Sequence, residues 1–179
     1  MTLAASVSLL LALLDELGCL ISRIDDTTYA APAPGRSTGG GIGSHVRHLL
    51  DHVSAVIAAT RTGVCHYDRR VRGTDVETHR GSAMAVIDAL SAELTGLAPT
   101  VLGAAVRVET QLDTAGKTCV TWSTIERELV FVASHTVHHN AILGHALLAH
   151  GVPLPPRFGL AAATPTVCDT REASLPCAR

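Results

Sequence analysis

Aromatic side chains are nearly missing: the 179 residues include one tryptophan, two tyrosines and two phenylalanines. Without large rings, leucine, alanine and valine must fill the interior, which draws packed helices close together. Charge of one sign is missing too. The 14 basic and 16 acidic residues leave a formal charge of -2, with no run of lysine or arginine, so neither nucleic acid nor an anionic membrane surface is an expected partner. The apolar stretch Leu3 to Leu14 is too short to span a bilayer and lacks the basic flank of a secretory signal, and Asp15 and Glu16 follow it. A cytoplasmic protein is expected. Cys19, Cys65, Cys119, Cys168 and Cys177 are odd in number, scattered and without a CxxC pair, which argues against a disulfide framework or a zinc knuckle and for ordinary reduced thiols. There is no internal repeat and no low-complexity tract.

Hydrophobic periodicity dominates what remains. Leu10, Leu14, Leu17, Ile21 and Ile24 recur at helical spacing and predict a helix over about 3–25, ended by the Ala31-Pro32-Ala33-Pro34-Gly35 breaker run. A Gly-rich loop from Gly39 to Gly43 leads into a second helix with Val46, Leu49, Leu50, Val53 and Ile57 as its core stripe, stopped by Thr62-Gly63. The charged stretch His66 to Thr78 reads as a connection, and Met84, Ile87, Leu90, Leu94 and Leu97 mark a third helix. Alternation in Val106, Val108, Thr110 and Leu112, a turn over Asp113 to Lys117, and Thr118-Cys119-Val120-Thr121 predict a short β-hairpin. Ser123 and Glu126 form a capping box for a long fourth helix that runs to Ala149, with Gly151 and Pro153 as stop signals. Four helices, one short hairpin and 47% apolar residues predict an all-α four-helix bundle. Residues 1–162 are expected to form one domain and 163–179 a flexible tail.

The chain has 10 histidines, and their spacing is the strongest chemical signal in it. At 100° per residue Glu128, Phe131, His135, His139, Ile142 and Ala146 share a helical stripe about 80° wide, beside a second apolar stripe. His135 and His139 should therefore face inward, where an imidazole without a partner costs about 1–3 kcal/mol. On the second helix His45, His48 and His52 repeat at three and four residues along the edge of the core stripe. Two histidines from one helix and one from another make a three-histidine set suited to a divalent metal, with positions left for water or substrate. A satisfied histidine core carries comparable weight, because the HExxH pattern of zinc proteases is missing. Glu128 and Asp51 are the best placed carboxylates, both more consistent with salt bridging than with acid or base work. His138 and His145 fall off the stripe, His150 suits a helix C-terminus, and His66 and His79 have no partner at ligand spacing.

In its residues the chain resembles the DinB-like superfamily of bacterial four-helix-bundle metalloenzymes. The resemblance rests, in order, on Gly41-Ile42-Gly43-Ser44-His45-Val46-Arg47-His48-Leu49-Leu50-Asp51-His52, on Tyr67-Asp68-Arg69-Arg70-Val71-Arg72, on Arg127 through Ala141 with its Ser134-His135-Thr136-Val137-His138-His139-Asn140 segment, and on Phe158-Gly159-Leu160-Ala161. It implies a divalent metal, nickel or zinc, held by one histidine of the second helix and a pair four apart on the last. Carried onto this chain, the pair is His135 and His139 and the first ligand is His48, with His45 and His52 flanking it as alternatives. It also implies a small-molecule substrate and either hydrolysis or transfer involving a low-molecular-weight thiol, whose sulfur the metal would hold as a thiolate. The Tyr67 to Arg72 piece would either clamp an anionic group or form a solvated loop salt-bridged to Asp75 or Glu77. The competing expectation is a non-catalytic bundle with a structural metal or none, acting as a dimeric binding protein.

Overall fold

The computed structural model describes residues 3–32, 40–69, 71–161 and 163–164. The expected tail, 163–179, therefore lies almost wholly outside the described residues, as do Cys168 and Cys177. Four long helices carry the core: α1 (Ala5–Ile21), α3 (Ile42–Thr62), α4 (Arg80–Thr95) and α6 (Ile125–Ala149). Two short ones, α2 (Asp26–Ala30) and α5 (Pro99–Leu102), and a 3-10 turn at Asp75–Glu77 fill the connections. The long helices pack in a closed ring, α1 on α6, α6 on α3, α3 on α4 and α4 on α1. Each contributes its apolar stripe to one core: Leu10, Leu14 and Leu17 meet Val46, Leu49 and Val53, with Leu94 and Leu129. Among the described residues no helix is long and apolar enough to cross a membrane.

The all-α expectation is overturned by a three-stranded mixed sheet, β1 (Val64–His66), β2 (Ala105–Gln111) and β3 (Thr118–Thr124), in the order β1-β2-β3. The expected hairpin is present as β2 and β3, antiparallel with Val106 opposite Ser123 and Val108 opposite Thr121. The sequence reading missed β1, which pairs parallel to β2 with Cys65 beside Val108. Its three residues are too few to show a period of two, and they follow directly on the cap of α3. Gly63 makes that cap, its φ of 71° placing it in the left-handed region, and its carbonyl accepts the Arg107 N–H at 2.9 Å. A parallel pair needs a crossover connection, which the 3-10 turn, α4 and α5 supply. The fold is therefore mixed, rich in helix but built against a sheet.

Smaller boundaries also move. The first predicted helix stops at Ile21, and a separate α2 begins with Asp25 accepting the Thr28 N–H at 2.7 Å. The N-cap of α6 is Thr124, which accepts the Arg127 N–H, so Ser123 is left at the end of β3 rather than capping the helix. In the first turn of α3, Gly43 permits a close approach: a Cβ there would stand 2.1 Å from the Glu77 carbonyl oxygen and 2.7 Å from the Tyr29 ring. Tyr29 is fully buried and donates its O–H to the Val76 carbonyl at 2.7 Å, tying α2 to the connection under α3.

Candidate metal centre and its cleft

Helices α3 and α6 run antiparallel, so their histidines meet in rungs. His48 Nε2 lies 3.0 Å from His135 Nε2, and His45 Nδ1 lies 3.3 Å from His139 Nδ1. His52, only 6% exposed, stacks on His135 with ring centroids 4.2 Å apart. His48, His52 and His135 each offer a ring nitrogen, and these three atoms lie within 4.8 Å of one another. This group can hold a divalent metal ion.

The donor set suits such an ion. His52 Nδ1 lies 2.9 Å from the His48 carbonyl. A carbonyl only accepts, so Nδ1 carries the proton and Nε2 keeps the lone pair that a metal needs. Imidazole nitrogen donors suit transition ions rather than magnesium or calcium, which take oxygen ligands.

His139 stands one turn along α6, its ring centroid 4.5 Å from those of both His48 and His135. Burial and the neighbouring histidines, His135 foremost, push its imidazole down to about 4, so it is neutral near pH 7. Of the expected trio, His48 and His135 thus fall in the ligand group and His139 abuts it. His52, the alternative on α3, is the third member of that group. His138 and His145 are exposed on α6, and His150 caps its end. His66 pairs with Glu109 at 3.1 Å, and His79 contacts the Thr78 hydroxyl at 3.0 Å.

A cleft of about 590 Å³ opens beside the histidines, between α6 and the sheet. His52 reaches it at one end, and Tyr67, Val108, Thr121, Ser123, Arg127, Glu128 and Phe131 line it. From β3, Thr121, Trp122 and Ser123 all border it, with the Trp122 side chain 75% exposed. Two of the four phenyl and phenol rings in the chain are here. Tyr67 stacks on His52 at 5.1 Å and packs on Phe131 at 5.4 Å, while Phe131 lies 5.9 Å from His135. Four rings therefore form a closed collar of contacts beside the cleft, in which His52 and His135 belong to the ligand group.

Glu128 anchors this collar. It is 1% exposed, accepts the Tyr67 O–H at 2.5 Å on one oxygen and the Arg127 Nη1–H at 2.7 Å on the other. Burial alone would raise its pKa, but hydrogen bonds from Ser123, Tyr67 and Arg127, with the Arg127 charge, outweigh burial and hold it below its ordinary value. It is a carboxylate at neutral pH and a poor proton donor. Burial, and then the bond to Glu128, push the Tyr67 hydroxyl far up. Burial pushes the Cys65 thiol up to about 11, which leaves it protonated and removes it as a nucleophile. Glu128 shares the stripe of His135 and so was legible in the sequence. Its partner Tyr67 was not, because it comes from the segment just past β1, whose position depends on the missed strand.

The remaining sequence candidates lie elsewhere. Asp51 pairs with Arg47, which also meets Glu77 at 2.6 Å; among the described residues Glu77 is thus matched by a helix arginine. Arg69 reaches Glu109 at 3.7 Å, Arg72 borders a smaller depression with Gln111 and Asp113, and Arg70 is outside the described residues. Compared with protein-family models, curated proteins and solved structures, the chain gives no match.

Proposed function

We propose that the chain is a divalent-metal-dependent enzyme acting on a small molecule held in the cleft, with His48, His52 and His135 as ligands and His139 beside them. The observation that carries this reading is the convergence of three ring nitrogens within 4.8 Å, on residues of which one, His52, borders the cleft. Three protein ligands leave coordination positions for water or substrate, whereas structural sites are closed by four. A metal there would lower the pKa of bound water to about 7, or hold a thiol as the thiolate. The reactions in view are hydrolysis and transfer involving a low-molecular-weight thiol, with nickel or zinc as the ion. The motif order from Gly41 to Ala161 supports distant membership of the DinB-like superfamily, on a fold that departs from a pure bundle.

The protein's own residues have definite parts in this reading. The His48 carbonyl fixes the tautomer of His52, Tyr67 holds the His52 ring by stacking, and Glu128 holds Tyr67. Arg127, whose guanidinium lies over Phe131 at 5.4 Å, places a cation at the mouth of the cleft. Elemental analysis of untagged protein, purified without added metal, tests the proposal. Near-stoichiometric nickel, zinc or iron that is lost in His135→Ala, with helix content intact, supports it. Metal-free protein that cannot be loaded overturns it.

A further inference from the structure

The outer edge of β3 has no part in the metal site, and the register shows which of its groups are free. The Arg107 N–H bonds the Gly63 carbonyl at 2.9 Å, toward β1, so Arg107 and the opposite Trp122 are a non-hydrogen-bonded pair of the hairpin. Trp122 therefore turns its N–H and C=O away from β2, and so does Val120, opposite Glu109. Among the described residues, these four groups meet only the neighbouring Cys119 thiol, which reaches the Val120 carbonyl at 4.0 Å. An open edge of this kind is a template for another strand, and natural proteins blunt it with lysine, proline or a bulge. β3 has none of the three: Thr118-Cys119-Val120-Thr121-Trp122-Ser123-Thr124 carries no charge and no proline, and it pairs with β2 residue for residue. Val120 and Trp122, the sole tryptophan, are both exposed, so apolar surface lies along the same edge.

The order of the side chains selects the occupant. Read outward from Thr121 in either direction, the strand presents the same kinds of residue: Val120 and Trp122 are large and apolar, Cys119 and Ser123 are small, and Thr118 matches Thr124. A surface crossed by a two-fold axis has to be self-complementary in this way. We propose that a second copy of this chain pairs with β3, antiparallel and centred on Thr121, joining two three-stranded sheets into one. Val120 then lies opposite the partner's Trp122, a β-branched and aromatic pair, and no charge meets its like. The outward N–H and C=O groups of Val120 and Trp122 take the hydrogen-bonded positions of the new ladder. Thr121, Trp122 and Ser123 border the cleft, so the second copy stands beside it. The pairing does not rest on the metal reading.

Sedimentation equilibrium of the full chain, with tryptophan emission followed over the same concentrations, tests this. A reversible dimer is expected, and the emission of Trp122 should move to shorter wavelength as it forms. Val120→Pro removes an outward N–H and no bond to β2, so the variant should keep its circular dichroism and lose the dimer. Val120→Lys repeats the test should the proline variant fail to fold. The register is read by Thr121→Cys in a background with Cys19, Cys119, Cys168 and Cys177 changed to serine. Across the axis the two Cα atoms of residue 121 would stand about 4.5 Å apart, within disulfide reach, so oxidation by diamide should link the chains. Thr118→Cys, roughly 20 Å from its own copy, should not link. A native chain that stays monomeric at every concentration reached overturns the proposal. So does a folded Val120 variant that still dimerises, or a Thr121→Cys chain that dimerises without linking, because the copies would then meet elsewhere. None of these outcomes bears on the metal.

Discussion

Replacing Tyr67 by phenylalanine removes the hydroxyl that bonds Glu128 beside the cleft and that also meets the Cys65 thiol. The ring can still stack on His52 and pack on Phe131, while the O–H donated to Glu128 is removed. Glu128 is 1% exposed, so water is poorly placed to replace the donor, and a hydrogen bond to a charged group is worth about 1.5–3 kcal/mol. Arg127 and Ser123 still serve the carboxylate, which sets the expected loss at about 2 kcal/mol at neutral pH. That is roughly a 30-fold fall in the folded-to-unfolded ratio and about 4–8 °C in Tm for a chain of this size.

The pH dependence follows from the direction of the shift. A carboxyl held below its ordinary value adds stability above its unfolded pKa and loses it as pH falls through the folded pKa. The Tyr67→Phe deficit should therefore be complete at neutral pH and shrink once the pH drops below about 4.5, as Glu128 takes up its proton in both proteins. Urea unfolding of metal-free wild type and variant, followed by far-ultraviolet circular dichroism on either side of that range, measures it. A deficit under about 0.5 kcal/mol at neutral pH, or one of equal size at both pH values, would refute the account of Glu128 as a buried carboxylate held by Tyr67.

Three further outcomes are expected. Zinc or nickel at 100 times its Kd should stabilise the wild type by about 2.7 kcal/mol, or roughly 5–11 °C in Tm, and His135→Ala should abolish that shift in differential scanning fluorimetry; an equal shift in the variant would place the ion elsewhere. Gly43→Ala should cost at least about 2 kcal/mol in urea unfolding, because its Cβ would meet the backbone at Glu77 rather than a side chain able to move, and an unchanged midpoint would show that α3 can shift freely. Cys65, buried and with its thiol pushed up, should resist iodoacetamide in the native protein while the exposed Cys19 and Cys119 react; mass spectrometry of the alkylated peptides reads this directly, and equal labelling would contradict the burial.

What the sequence determined by itself is what depends on neighbours within one turn. Helical spacing marked the apolar stripes of α1, α3, α4 and α6, put Glu128, His135 and His139 on one stripe, and set His45, His48 and His52 on another. Alternation marked β2 and β3 in the same way. Tertiary structure decided what depends on pairing between distant segments. Val64–His66 is a strand only because β2 lies beside it, and the class changed from all-α to mixed with that one contact. The stagger of α3 against α6 chose which histidines converge: it brought His52 into the group with His48 and His135 and set His139 against His45. Spacing along a helix carries no information about that stagger, because it is fixed by how two whole apolar faces interlock. The same packing, acting through β1, carried Tyr67 to Glu128 and set its ring against Phe131.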